Sequence, residues 1–126
     1  MKASEWNYPN FRPSEFDSPD RKGSGLNMTK DFMDKLQRLR DYVGFPLIII
    51  SGFRTQARNT EIGGTVDSSH MLGCAVDVLT NTSAKRYAII KGAMHCGINR
   101  IGINRSTIHL DTDSEKPGEV VWHYYK

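Results

Sequence analysis

At 126 residues and 14.3 kDa the chain has room for one domain around one core and at most one active site. Hydrophobic residues at 38%, charged residues at 25% and a mean hydropathy of -0.50 exclude a disordered chain. They also exclude a membrane protein, since no apolar run nears the roughly 20 residues a spanning helix needs. The net charge of +3 is uneven: residues 46–105 hold seven Lys/Arg against three Asp/Glu, whereas residues 106–126 hold two against four. These cations lack the dense runs and interleaved aromatics of a nucleic-acid module, so a solvated surface is expected, with attraction to an anionic polymer as the alternative.

The N-terminus has no apolar stretch of the secretory kind, and synthesis in the cytoplasm without a signal peptide is the expectation. Residues 1–25, with Pro9, Pro13, Pro19, Gly23 and Gly25, read as an irregular arm. Trp6, Tyr8, Phe11 and Phe16 imply that this arm packs on the domain. Thr29 caps a helix in which Phe32, Met33, Leu36, Leu39 and Val43 recur every three or four residues, and Gly44 ends it. The apolar run 46–53 reads as a strand buried on both faces. A short strand follows at 74–79. Ser83 then caps a helix at 84–96 with Tyr87, Ile90, and Ala93 or Met94 on its inner face. Strands at 98–103, 107–111 and 120–125 complete an α+β domain with a small, largely antiparallel sheet flanked by helices. Cys74 and Cys96 are expected as reduced, packed thiols.

The chemistry concentrates in Ser68-Ser69-His70-Met71-Leu72-Gly73-Cys74-Ala75-Val76-Asp77 and in Ile108-His109-Leu110-Asp111. Two imidazoles and one carboxylate would leave the fourth position of a tetrahedral Zn²⁺ open, a catalytic stoichiometry. Such an ion polarises a carbonyl and lowers the pKa of its water toward about 7. Asp77 interrupts the apolar run 75–79, where an unpaired carboxylate is costly. Either a metal or an arginine compensates it, or Asp77 points outward from an edge strand while Val76 and Val78 point in.

Taken in order, Ser51-Gly52-Phe53-Arg54, Asn59, Gly63-Gly64, Ser68-x-His70-x-x-Gly73-x-Ala75-x-Asp77, His109-x-Asp111 and Trp122 resemble the zinc D-Ala-D-Ala metallopeptidases. That family includes peptidoglycan carboxypeptidases and phage endolysin endopeptidases and shares its fold with the hedgehog signalling domain. The resemblance covers about residues 11–125 and implies a single zinc peptidase domain over 1–126 with a hedgehog/DD-peptidase-like fold. It further implies zinc on His70, Asp77 and His109, Arg54 on the carboxylate or carbonyl of a substrate peptide, and Ser68 hydrogen-bonding beside it. Arg suits that role through its planar fork, and Lys at 54 is expected to be a poor replacement.

One departure stands out. Many relatives carry an acidic or imidazole base two or three residues before the second zinc histidine, where this chain has Thr107 and Ser106. Asp111 and His123 are the remaining candidates for the catalytic proton acceptor, and Asp111 can alternatively orient His109. The leading expectation is a monomeric, zinc-dependent peptidase acting on peptidoglycan stem peptides at the bacterial cell wall, phage-encoded in style, with no nucleic-acid or membrane partner. The rival is a zinc-stabilised module that binds cell wall or protein without turnover.

Overall fold

A computed structural model describes residues 1–125. Three α-helices, α1 (Lys30–Val43), α2 (Gln56–Glu61) and α3 (Ser83–His95), accompany five strands: β1 (Ile49–Ser51), β2 (Ala75–Leu79), β3 (Arg100–Ile103), β4 (Thr107–Asp111) and β5 (Val120–His123). The sheet order is β1-β2-β4-β3-β5; its first three pairings are antiparallel, and β5 joins β3 in parallel. The fold is therefore α+β with a mostly antiparallel sheet, as expected.

Alternation along the strands gives the sheet two unlike faces. Val76, Val78, Ile101, Ile108 and Leu110 are buried against Phe32, Met33, Leu36 and Leu39 of α1 and Ile89 and Ala93 of α3, forming the core. The opposite face carries a row across neighbouring strands, Asp77 beside His109, His109 beside Gly102, and Gly102 beside Trp122. Below it, Asp111 is flanked by Ala75 and Arg100. The row of Asp77, His109 and Asp111 thus sits on the face of the sheet opposite the apolar core.

α1 starts where Thr29 accepts from the Phe32 N–H and stops at Gly44, whose φ of 73° is left-handed. α3 begins one residue earlier than the sequence indicates, because Thr82 and not Ser83 provides the cap, accepting from the Lys85 N–H. Its inner face also differs. Ile89, Gly92 and Ala93 are buried while Tyr87 and Met94 are exposed. The reason is close helix packing: a Cβ on Gly92 would lie 2.7 Å from a Leu39 methyl and 2.8 Å from the Tyr42 ring. α1 therefore approaches the smallest residues of α3 and leaves the largest outside.

The run 46–53 is corrected more substantially. Only Ile49–Ser51 forms strand, at the edge of the sheet, with Ile48 and Ile50 more than half exposed. An apolar run does not distinguish a central strand from an edge one, and Pro46 suits an edge. A register shift between Ile49 and Ser51 turns Ser51 toward the polar face, opposite Asp77. β2, by contrast, lies inside the sheet, so Asp77 does not point out from an edge.

Tyr8, Phe11 and Phe16 of the N-terminal segment are buried in the core. The segment contains three short 3-10 turns, Ala3–Glu5, Pro13–Phe16 and Ser24–Asn27. Phe16 is fully buried, within 5.6 Å (ring centroids) of both Trp6 and Phe11, and its carbonyl accepts the Phe53 N–H. Cys74 and Cys96 are both free thiols. Among the described residues, no helix is long and apolar enough to cross a membrane.

Candidate metal centre

His70 lies in a 3-10 turn, Ser69–Leu72, capped by the Ser68 hydroxyl and closed by left-handed Gly73. The turn buries the imidazole and directs Nδ1 to the Gly52 carbonyl at 2.8 Å. A carbonyl only accepts, so Nδ1 carries the proton and Nε2 presents a lone pair, 3.3 Å from Asp77 Oδ1. On β4, His109 is held the other way round. Its Nε2 lies 2.6 Å from Asp111 Oδ2, and its Nδ1 faces Asp77 Oδ1 at 3.1 Å.

With the proton of His70 on Nδ1 and that of His109 on Nε2, both rings can turn a lone pair toward one carboxylate oxygen, whereas without a cation the carboxylates on either side of His109 favour its protonated form. Ligand atoms of His70, Asp77 and His109 all lie within 4.8 Å of one another. Tetrahedral zinc with bonds of 2.0–2.1 Å separates its ligand atoms by roughly 3.3 Å, close to the 3.1 and 3.3 Å spacings found here. Lone pairs gathered this way repel unless a cation or added protons lie among them, so the donor set fits a metal ion. Outer partners that fix the tautomer of each histidine are the usual support of such ligands.

Charge is organised around the same point. Burial works against the Asp77 carboxylate, but contacts from His109 and His70 hold its pKa well below the usual range. Burial likewise opposes ionisation of Asp111, which His109, the Asp113 N–H and Arg100 keep low. Burial also disfavours a charged His109, and the flanking Asp111 and Asp77 outweigh it and raise its pKa. Arg54 spends its fork on three partners: Nε on Ser51 Oγ at 3.2 Å, Nη1 on Asn59 Oδ1 at 3.3 Å and Nη2 on Asp77 Oδ2 at 3.2 Å. Neither Glu61, which pairs with Arg58, nor Asp67 is its counter-ion.

A cleft of about 640 Å³ opens over the group, lined among others by Arg54, Ser68, His70, Asp77, His109 and Asp111. Six of the seven sequence-derived site residues therefore converge. The exception is His123, which falls in register with Ile103 on the helix-bearing face and stacks on Tyr125 instead. Asp111 reaches the site as the partner of His109. Being only 1% exposed, with both oxygens engaged by Arg100, Asp113 and His109, it is a poor proton acceptor for a substrate. Trp122 and Tyr124 also line the cleft.

The sequence model of the family described as Peptidase M15 matches residues 9–112. The chain belongs to the M15 family of zinc D-Ala-D-Ala metallopeptidases. Comparison with curated proteins gives no match. M15 enzymes are zinc-dependent peptidases, and in this M15 chain the group able to take the metal is His70, Asp77 and His109. The matched span includes the arm from residue 9, the ligand turn and β4, and stops before Trp122.

Two parts of this M15 site have no signature in a single sequence. The Gly52 support of His70 is a backbone carbonyl, and any residue has one. Arg100 reads as a surface cation until β3 and β4 are paired, when it falls opposite Asp111. Opposite charges across neighbouring strands would have been the signal, had the register been known.

Proposed function

We propose that this M15 protein is a zinc peptidase that hydrolyses amide bonds in the stem peptides of peptidoglycan. The observation that carries the reading is the convergence of three lone-pair donors, His70 Nε2, Asp77 Oδ1 and His109 Nδ1, each backed by its own partner, on the floor of an open cleft. Zinc held there supplies Lewis-acid polarisation of the scissile carbonyl and a lowered pKa for water.

The chain's own residues do the rest. Arg54 is held in place by Ser51, Asn59 and Asp77, and its two remaining N–H donors are preorganised for the substrate carbonyl or carboxylate. Ser68, on the turn that carries His70, lines the same wall and hydrogen-bonds the substrate backbone. Trp122 closes the far side, its ring 5.7 Å from that of His109, and Gly102 makes room for it, since a Cβ there would lie 2.8 Å from the indole.

The test is mass spectrometry of muropeptides after incubating purified sacculi with zinc-loaded protein, with His70→Ala as control. A fragment released by the parent and not by the control is expected, and its mass identifies the bond. Arg54→Lys keeps the charge and loses the planar fork, and should lower the rate of release by about 10²-fold. One observation favours a second reading, a wall-binding module without turnover: Asp111 is enclosed and His123 lies on the other face of the sheet. Stoichiometric zinc and binding to sacculi without any release would establish that reading and overturn the peptidase.

A further inference from the structure

Arg100 is a heavily engaged side chain that the proposed reaction does not use. It projects from β3 onto the polar face and is only 12% exposed. Nε donates to Asp111 Oδ1 at 2.8 Å, Nη1 donates to the Pro117 carbonyl, and the guanidinium lies 5.0 Å over the Trp122 ring. Three elements, β4, the loop before β5, and β5 itself, thus fix one arginine.

What it fixes in turn is Asp111. That carboxylate has two oxygens and two tasks. Oδ1 accepts from Arg100 and from the Asp113 N–H at 3.0 Å, which leaves Oδ2 for His109 Nε2 at 2.6 Å. Without the guanidinium, a carboxylate that can rotate has less reason to keep Oδ2 on the imidazole. Its buried charge would also lose its nearest full positive partner. His109 then loses the partner at Nε2 that orients its ring and aims Nδ1 at the ligand group.

The geometry points to Arg100 as a positioning residue that sets the metal affinity of His109 through Asp111, a three-link chain running from β3 to the ligand group. This rests on the reading of His70, Asp77 and His109 as the zinc ligands. A purely structural Arg100, serving only to tie the loop at Pro117 to the sheet, would affect stability without coupling to Asp111.

A double-mutant cycle on zinc affinity separates the two, using the full chain, competition with a chromogenic chelator, and the absorption spectrum of the Co²⁺-loaded protein. Arg100→Gln is expected to weaken zinc binding by about 10- to 100-fold, the range for loss of an outer partner of a ligand, and to shift the cobalt bands. Arg100→Lys, which keeps the charge, should fall between Gln and the parent. Arg100→Gln combined with Asp111→Asn should bind zinc no more weakly than Asp111→Asn alone, because Arg100 then has nothing left to hold.

Zinc affinity of Arg100→Gln within about twofold of the parent, or losses that multiply in the double variant, would overturn the inference. If Arg100→Gln does not fold by circular dichroism, Arg100→Lys takes its place in the cycle. His70→Ala distinguishes the levels. If it binds zinc as tightly as the parent, the ligand assignment fails and this inference with it. If it loses zinc while the Arg100 variants do not, only the inference fails.

Discussion

Cys74 shows how closely the ligand turn and β2 are joined. Its thiol is buried directly after Gly73, with Sγ 3.6 Å from the Ser69 carbonyl, and burial, aided by the nearby Asp113 and Asp111, pushes its pKa up to about 11. In the unfolded chain the same thiol ionises near about 8.5. Between those values the unfolded state holds fewer protons than the folded one, so stability falls as pH rises through the window and is unaffected by this group below it. Urea denaturation between pH 7 and 10.5 should show a steeper alkaline loss in the parent than in Cys74→Ala. Equal slopes would mean the thiol ionises freely in the folded protein. At this scale the sequence points to candidate residues for chemistry and hides what supports them. His70, Asp77 and His109 stand out because imidazoles and a buried carboxylate need a reason, whereas the Gly52 carbonyl and the Arg100 link exist only after the chain has folded.

Among the elements, the segment around Gly52 couples the arm to the metal group. A Cβ on Gly52 would lie 2.7 Å from Phe16 Cα and 2.9 Å from Phe16 Cβ, so only glycine lets the arm's backbone pass here. The same residue's carbonyl holds His70. Gly52→Ala should therefore do two things at once: destabilise by about 1–3 kcal/mol through overpacking, read by urea denaturation, and weaken zinc binding, read by chelator competition. A loss of stability with unchanged metal affinity would separate the two roles. Element boundaries were legible where local chemistry sets them, as with Thr29 and Gly44 at the ends of α1 and with β4 at Thr107–Asp111. They were misread where pairing sets them. The apolar run 46–53 carries no sign that it lies at an edge, and the buried face of α3 depends on how closely α1 approaches Gly92.

For the whole molecule, the ligand group ties together the Ser69–Leu72 turn, β2 and β4, and its partners add Gly52 and β3. An ion bound there cross-links most of the domain, so it should stabilise the fold by mass action. With free zinc at about a thousandfold over its dissociation constant, the gain is about 4 kcal/mol. Chelation should lower the denaturation midpoint of the parent, zinc should restore it, and His109→Ala should respond to neither. A parent indifferent to chelator would show that the three donors do not hold zinc. The α+β class was legible from the order of elements, but the parallel pairing of β5 was not, because no local signal distinguishes it from one more antiparallel strand.

That β5 pairing has a consequence for biosynthesis. Trp122, the wall of the cleft and the platform for Arg100, reaches its place only when β5 docks beside β3, while Phe16, which supports Gly52, belongs to the arm. The centre is thus closed by segments lying toward opposite ends of the sequence, and the chain is made from its N-terminus onward. A ribosome-bound chain that has not yet released β4 and β5 has neither His109 nor the wall in place. The cleft is therefore complete only once β4 and β5 have joined the segments made before them.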